Sequence, residues 1–165
     1  MKILVLSDSH SAMRFMRSCV EAVKPQAIVH LGDHYDDGET LKELYPHIEL
    51  HQVPGNCDRY RCPPWVHTRL CYDVCGVRLF MTHGHKYGVK TSTAMMLAEA
   101  RAMGARAALY GHTHVAECYR EETGMWVLNP GSSGYGGGSG GLLEVENGEI
   151  LSCRIITADH LEEFV

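Results

Sequence analysis

Residues 2–7, 27–31 and 48–53 are three short aliphatic runs, and each gives way to a polar loop. The loops read Asp8-Ser9-His10-Ser11, Gly32-Asp33-His34 and Pro54-Gly55-Asn56-Cys57-Asp58. Between the first two runs, Met13, Met16, Val20 and Val23 recur at helical spacing. Ser11 or a neighbour is expected to cap that helix and Pro25 to close it. A second, shorter helix is expected from about residue 38 to 45. Strand, loop and helix in this repeated order build a right-handed parallel α/β unit. Runs with no polar alternation need cover on both faces. Ligands of open α/β sheets bind beyond the carboxyl ends of the strands, where these loops gather.

The rest of the chain changes character. Residues 59–67 are irregular and contain Pro63-Pro64. A hairpin follows over 70–73 and 77–81, joined at Cys75-Gly76 and running out into Thr82-His83-Gly84-His85. Residues 91–103 read as the clearest helix, stopped by Gly104. A strand over 107–110 then leads into Gly111-His112-Thr113-His114. If the backbone stays extended there, both imidazoles face one side. Two more strands, a glycine-rich loop from Gly131 to Gly141 and a hairpin turned at Asn147-Gly148 complete the chain. The loop lacks the Gly-Lys-Ser/Thr ending of a nucleotide P-loop and reads as a flexible connector. No linker separates the two halves. The expectation is one α/β domain over residues 1–165, two packed sheets with flanking helices in the order αββα.

Charge and cysteine usage narrow the function. A formal charge of −5 argues against an extended nucleic-acid surface, which needs clustered Lys and Arg. It leaves room for a small phosphate-bearing substrate. No run approaches the roughly 20 apolar residues of a membrane helix, and residues 3–6 are too short for a signal peptide. Seven cysteines without framework spacing suit a reducing compartment, so the cytoplasm is expected.

The strand ends collect seven candidate ligands: Asp8, His10, Asp33, Asn56, His83, His112 and His114. All are oxygen or imidazole donors, a set that suits Mn, Fe, Co, Ni or Zn. Seven exceed what one tetrahedral ion needs, and they fit two ions if a carboxylate bridges.

Asp8-x-His10, Gly32-Asp33, Gly55-Asn56-x-Asp58, His83 and Gly111-His112-Thr113-His114, in that order, resemble the motifs of the calcineurin-like metallophosphoesterases. The likeness spans residues 1 to about 157 and is nearest to the small bacterial and archaeal phosphodiesterases. It implies a two-sheet sandwich and hydrolysis of small phosphodiesters by a bridging hydroxide at two divalent transition-metal ions. Manganese is the first expectation, with iron, nickel, cobalt or zinc as alternatives. Asp8, His10 and His114 would hold one ion and Asn56, His83 and His112 the other, with Asp33 bridging. Two carboxylates and a hydroxide would leave such a site with a formal charge of about +1, attractive to phosphate even on an acidic protein.

Two departures bear on the chemistry. Many relatives carry His after the motif Asn, as a proton donor to the leaving group, and here it is Cys57. A thiol hydrogen-bonds weakly, so leaving groups needing little protonation, such as phenolates, are expected, with His85 as substitute acid. Relatives also commonly have a Pro-Arg or Pro-Lys pair after the Asn129-Pro130-Gly131-Ser132 stretch. No basic residue lies between Gly131 and Gly141, which puts substrate anchoring there in doubt.

Among the remaining residues, His30 reads as a packed strand position and His34 as either a neighbour of the ligands or a solvated loop residue. His47, His51, His67 and His160 are assigned to the surface. Asp58 either orients a ligand through a hydrogen bond or completes a turn. A structural zinc site at Cys57, Cys62, Cys71 and Cys75 is disfavoured by irregular spacing. A phosphomonoesterase on the same site is one alternative function. A non-catalytic protein-binding scaffold, the use the retromer's small subunit makes of this fold, is another. The full ligand set speaks against the scaffold, and a homo-oligomer is left open.

Overall fold

The computed structural model describes residues 1–164. Its ten strands form two sheets. The first holds, in spatial order, β10 (Glu149–Thr157), β9 (Ser139–Glu146), β1 (Lys2–Leu6), β2 (Ala27–His30) and β3 (Glu49–Gln52). The second holds β4 (Arg69–Val74), β5 (Val77–Thr82), β6 (Ala107–Leu109), β8 (Trp126–Asn129) and β7 (Glu117–Arg120). β1, β2 and β3 run parallel, as their strand–helix alternation predicts, and the β9–β10 hairpin extends the sheet antiparallel to β1.

The central strands β1, β2, β5, β6 and β8 are buried on both faces, which is why their sequences are mostly apolar, while the outer strands β10, β3, β4 and β7 carry exposed polar residues. From β1, Ile3 and Val5 enter the core between the sheets with Val29, Leu79, Met81 and Leu109. The alternate residues Leu4 and Leu6 face outward onto α1 (Met13–Val23) and α2 (Tyr35–Leu44) through Met16, Val20 and Leu41. The outer face of the second sheet meets α3 (Ala94–Ala102), with Phe80, Ala108 and Val127 against Met96, Leu97 and Ala100. The layers are therefore αββα. No helix among the described residues is long and apolar enough to cross a membrane.

Several local expectations are corrected. Ser11 does not cap α1: Ala12 holds the cap position without a side-chain bond, and the Ser11 hydroxyl lies 3.2 Å from His34 Nδ1 instead. α2 begins at Tyr35, three residues earlier than its sequence pattern suggests, because the distant Asp58 supplies acceptors for its first N–H groups. β9 begins at Ser139 inside the glycine-rich stretch. A Cβ on Gly141 would stand 2.7 Å from Leu128 Cδ2, so glycine there permits the close approach of the two sheets. The start of the same stretch is no loose connector. Ser132 Oγ donates to the Asp8 carbonyl at 2.7 Å, and the N–H groups of Ser133 and Gly134 donate to the carbonyls of Ser7 and Asp8. His51, expected at the surface, is buried with its Nδ1 2.6 Å from the Tyr72 hydroxyl.

Candidate metal centre

The first three strand ends and those of β5 and β6 converge at one edge of the sandwich, and the backbone there is strained. Asp8, His10, Asp33, His112 and His114, five of the seven candidate ligands, have positive φ between 43° and 69°. Left-handed backbone disfavours residues with a Cβ and clusters where function demands a special geometry. This corrects the extended conformation expected around His112 and His114. The two rings consequently diverge: His112 lies 5.0 Å from the His83 ring, and His114 lies 5.7 Å from the His10 ring. The left-handed turn at Gly32 is equally specific, since a Cβ at its φ of +97° would stand 2.3 Å from the Gly55 nitrogen. Glycine therefore lets the second and third loops touch.

Each buried carboxylate uses one oxygen for positioning and offers the other to the centre. Asp8 Oδ2 accepts from the Ser7 hydroxyl at 2.5 Å and the His112 N–H at 3.0 Å. Its Oδ1 lies 3.0 Å from His114 Nε2 and 3.9 Å from His83 Nε2. Asp33 Oδ1 accepts from the Cys57 N–H at 2.9 Å, leaving Oδ2 3.5 Å from His83 Nε2 and 4.0 Å from His10 Nε2. Among the described residues no lysine or arginine pairs with either carboxylate, although Asp8 is wholly buried and Asp33 nearly so. Burial alone would raise the Asp33 carboxyl, but His83, the Cys57 N–H and His10 outweigh it and hold it below its ordinary value.

His83 is the most informative of the candidate ligands. Its Nδ1 lies 2.7 Å from the Leu31 carbonyl, which can only accept, so that nitrogen carries the proton. Nε2 is then the ring nitrogen turned to the centre. It faces Asn56 Oδ1 at 3.1 Å and one oxygen each of Asp33 and Asp8, with the Asn56 amide nitrogen turned toward Cys57 Sγ. One nitrogen and three oxygens gathered in this way suit a positive charge between them, a metal ion or the second proton of an imidazolium. The His10 Nε2 atom is likewise buried with no hydrogen-bond partner. Burial lowers the pKa of His10, and burial with His83 lowers that of His112, favouring the neutral form that ligates metal. These residues fit a metal centre.

Donor atoms fall into two overlapping groups, Asp8 with His10 and His114, and Asp8 with Asp33 and His83. Asp8 is thus shared between the groups, while Asp33 Oδ2 reaches histidines of both. Asn56 and His112 border the second group through His83.

The remaining residues take supporting places. Cys57 is exposed, and burial followed by the Asp33 charge pushes its thiol up. His85 packs 5.4 Å from His83; burial and then the neighbouring imidazoles bring it down to about 4. At neutral pH it is therefore an uncharged ring and a poor source of protons. His30 is a packed strand residue, as expected, with Nε2 3.0 Å from the Ser9 hydroxyl. His34 packs against His10, ring to ring at 5.0 Å. Tyr135 stacks on His114 at 5.2 Å, an ordered contact within the stretch taken for a connector.

Asp58 does more than complete a turn. Fully buried, it accepts from the N–H groups of Asp33, His34, Tyr35 and Gly55 at 2.7–2.9 Å. One carboxylate thereby fixes the backbone of two ligand loops and the start of α2. Its motif position hints at a structural task, but its targets carry no side-chain signal.

Two packed sheets with nitrogen and oxygen donors gathered at their strand ends make an α/β sandwich with a candidate metal centre at one edge. Residues 1–148 match the calcineurin-like phosphoesterase superfamily domain, and the chain belongs to that family. It is 31% identical over 135 residues to a probable metallophosphoesterase, YsnB of Bacillus subtilis, covering 80% of this chain and 75% of that one. A solved structure from Streptococcus pneumoniae, described as a predicted phosphoesterase, superposes with a TM-score of 0.75 at 26% identity, over 96% of this chain and 90% of the other. Wild-type Vps29 of Entamoeba histolytica complexed with Zn²⁺ shares the fold, with a TM-score of 0.69 at 20% identity over 95% and 99% of the chains.

Proposed function

We propose that this chain is a metal-dependent phosphodiesterase that hydrolyses small phosphodiesters at a two-metal site. The observation that carries the reading is His83, held through its Nδ1 by the Leu31 carbonyl so that its Nε2 faces oxygens of Asn56, Asp33 and Asp8 at 3.1, 3.5 and 3.9 Å, a donor set that a metal ion would fill. Asp8, His10 and His114 would hold one ion, and Asn56, His83 and His112 the second, with Asp33 between them. Bound divalent ions, manganese foremost, would lower the pKa of water and neutralise charge on the phosphoryl oxygens.

The chain's own contribution is positioning. Ser7 and the His112 N–H aim Asp8; the Cys57 N–H aims Asp33; the Leu31 carbonyl fixes the His83 tautomer. Such preorganisation spares the reaction the cost of turning ligands at the moment of bond cleavage. Cys57 is exposed with its Sγ 3.5 Å from the Asn56 amide nitrogen, where its thiol would serve as the proton donor to a departing ester oxygen. A weak thiol donor there suits phenolate leaving groups, so aryl diesters are the substrates of choice for assay. The seven free thiols support a reducing compartment such as the cytoplasm.

The test pairs metal analysis with hydrolysis of bis(p-nitrophenyl) phosphate and p-nitrophenyl phosphate, with and without Mn²⁺. Metal-dependent turnover of the diester above the monoester is expected, with loss of both ions and of the rate in Asp33→Ala. Preference for the monoester would make the chain a phosphomonoesterase. Bound metal without turnover of either ester would favour the scaffold.

A further inference from the structure

The metal ligands border a cleft of about 630 Å³, formed where the segment after Asp58 folds back toward the 3-10 turn His85–Tyr87. Asn56 and His85 line it, so it is continuous with the ligand cluster, where Asn56 touches His83 and His85 packs beside that ring. Its walls carry flat or rigid surfaces, Tyr60, Pro63 and Pro64, and two cations, Arg59 and Lys86.

The cations are uncompensated. The neighbouring Arg61 is paired with Asp36 at 2.9 Å, but among the described residues neither Arg59 nor Lys86 meets a carboxylate. Asp58, the one acid lining the cleft, has both oxygens taken by main-chain N–H groups. On a chain with a formal charge of −5, this leaves local positive charge beside the centre where a phosphate would sit. Tyr60 is 88% exposed, an unusual placement for an aromatic ring, with the Arg59 guanidinium 5.4 Å from its centre.

We infer that this cleft binds the organic half of the substrate, and that this half is nucleotide-like: a flat ring with a second anionic group. The ring lies against Tyr60 and the two prolines, and the second anion meets Arg59 and Lys86. The inference rests on the phosphodiesterase reading and names the class of diester the site accepts. It also supplies the substrate anchor absent from the loop between Gly131 and Gly141.

The experiment is calorimetric titration of the Mn²⁺-loaded protein with thymidine 3′,5′-bisphosphate, thymidine 5′-monophosphate and inorganic phosphate. The bisphosphate should bind about tenfold tighter than the monophosphate, two partly exposed charge contacts each contributing severalfold. That preference should fall to about twofold or less in Arg59→Gln/Lys86→Gln and shrink as salt rises. Tyr60→Ala should weaken both nucleotides by about fivefold or more while leaving inorganic phosphate nearly unchanged. A wild-type protein without the bisphosphate preference, or a double variant that keeps it, overturns the inference. Hydrolysis of bis(p-nitrophenyl) phosphate separates the two readings. An enzyme that hydrolyses it without preferring the bisphosphate sinks the cleft alone, and a protein with the preference but no hydrolysis sinks the catalytic reading.

Discussion

At the scale of single residues, Asp58 shows how a side chain outside the ligand set can govern it. Asn in its place would keep one acceptor oxygen and turn an NH2 group toward N–H donors, stranding at least one of them in a buried site. A buried donor left unpaired costs about 1–3 kcal/mol, and loss of a charged acceptor adds to this. Asp58→Asn should therefore lower unfolding free energy by about 2–4 kcal/mol in urea denaturation with an unchanged m-value. Metal affinity should fall with it, because the freed N–H groups are those of Asp33 and Gly55 or those of His34 and Tyr35, according to which oxygen the amide nitrogen replaces, and both pairs belong to the loops that carry candidate ligands. A variant as stable as the parent would show that water replaces the lost acceptor. The same residue marks how far the sequence can be read. That Asp8, His10, Asp33, Asn56, His83 and the 112/114 pair lie at neighbouring strand ends was legible because polar side chains follow apolar runs there. The partners of Asp58 were not, because main-chain N–H groups look alike in every sequence. Nor was the left-handed backbone at His112 and His114, which depends on contacts to Asp8 a hundred residues away.

At the scale of elements, strands buried on both faces were legible from their unbroken apolar runs, but the polar residues inside them were harder to place. His30 on β2 and His51 on β3 lie on adjacent parallel strands and are both buried. A histidine amid polar neighbours, as His51 is in Glu49-Leu50-His51-Gln52, reads as surface; burial here comes from Tyr72 on the opposite sheet. Burial is the leading cause that lowers both imidazole pKa values, and Asp37 in one case and Glu49 in the other only partly oppose it. In the unfolded chain these rings take up protons near pH 6.5, while in the folded protein they resist until lower pH. The unfolded state thus binds more protons on acidification. Their contribution to stability is fully present above about pH 6.5 and is lost as pH falls toward the folded values, by up to about 1.4 kcal/mol per pH unit for each ring. With metal chelated, unfolding free energy should drop between about pH 7.5 and pH 5.5, and His51→Gln should reduce that drop. A drop of the same size in His51→Gln would remove His51 as a contributor.

At the scale of the whole molecule, a dry core between two sheets supports an edge that works against folding. That core, from Ile3 and Val5 to Leu79 and Leu109, is fully buried. At the edge sit seven of the ten non-glycine residues with positive φ among the described residues: Asp8, His10, Ser11, Asp33, His34, His112 and His114. The other three occupy a helix end and two hairpin turns, where such backbone is ordinary. Among the described residues no lysine or arginine pairs with the buried Asp8 or Asp33, and this adds to the strain. A ligand that binds only the folded state returns stability in proportion to its excess over Kd, about 2.7 kcal/mol at one site for a hundredfold excess. For a chain of this size that corresponds to a rise in Tm of about 5–10 °C per occupied site. Calorimetry of the chelated and Mn²⁺-saturated protein should show at least this rise. In Asp33→Ala the chelated protein should still melt cooperatively, since the inter-sheet core is untouched, but the metal increment should be largely gone. Equal Tm values for chelated and Mn²⁺-saturated parent protein would mean that the strained edge answers to something other than a metal ion.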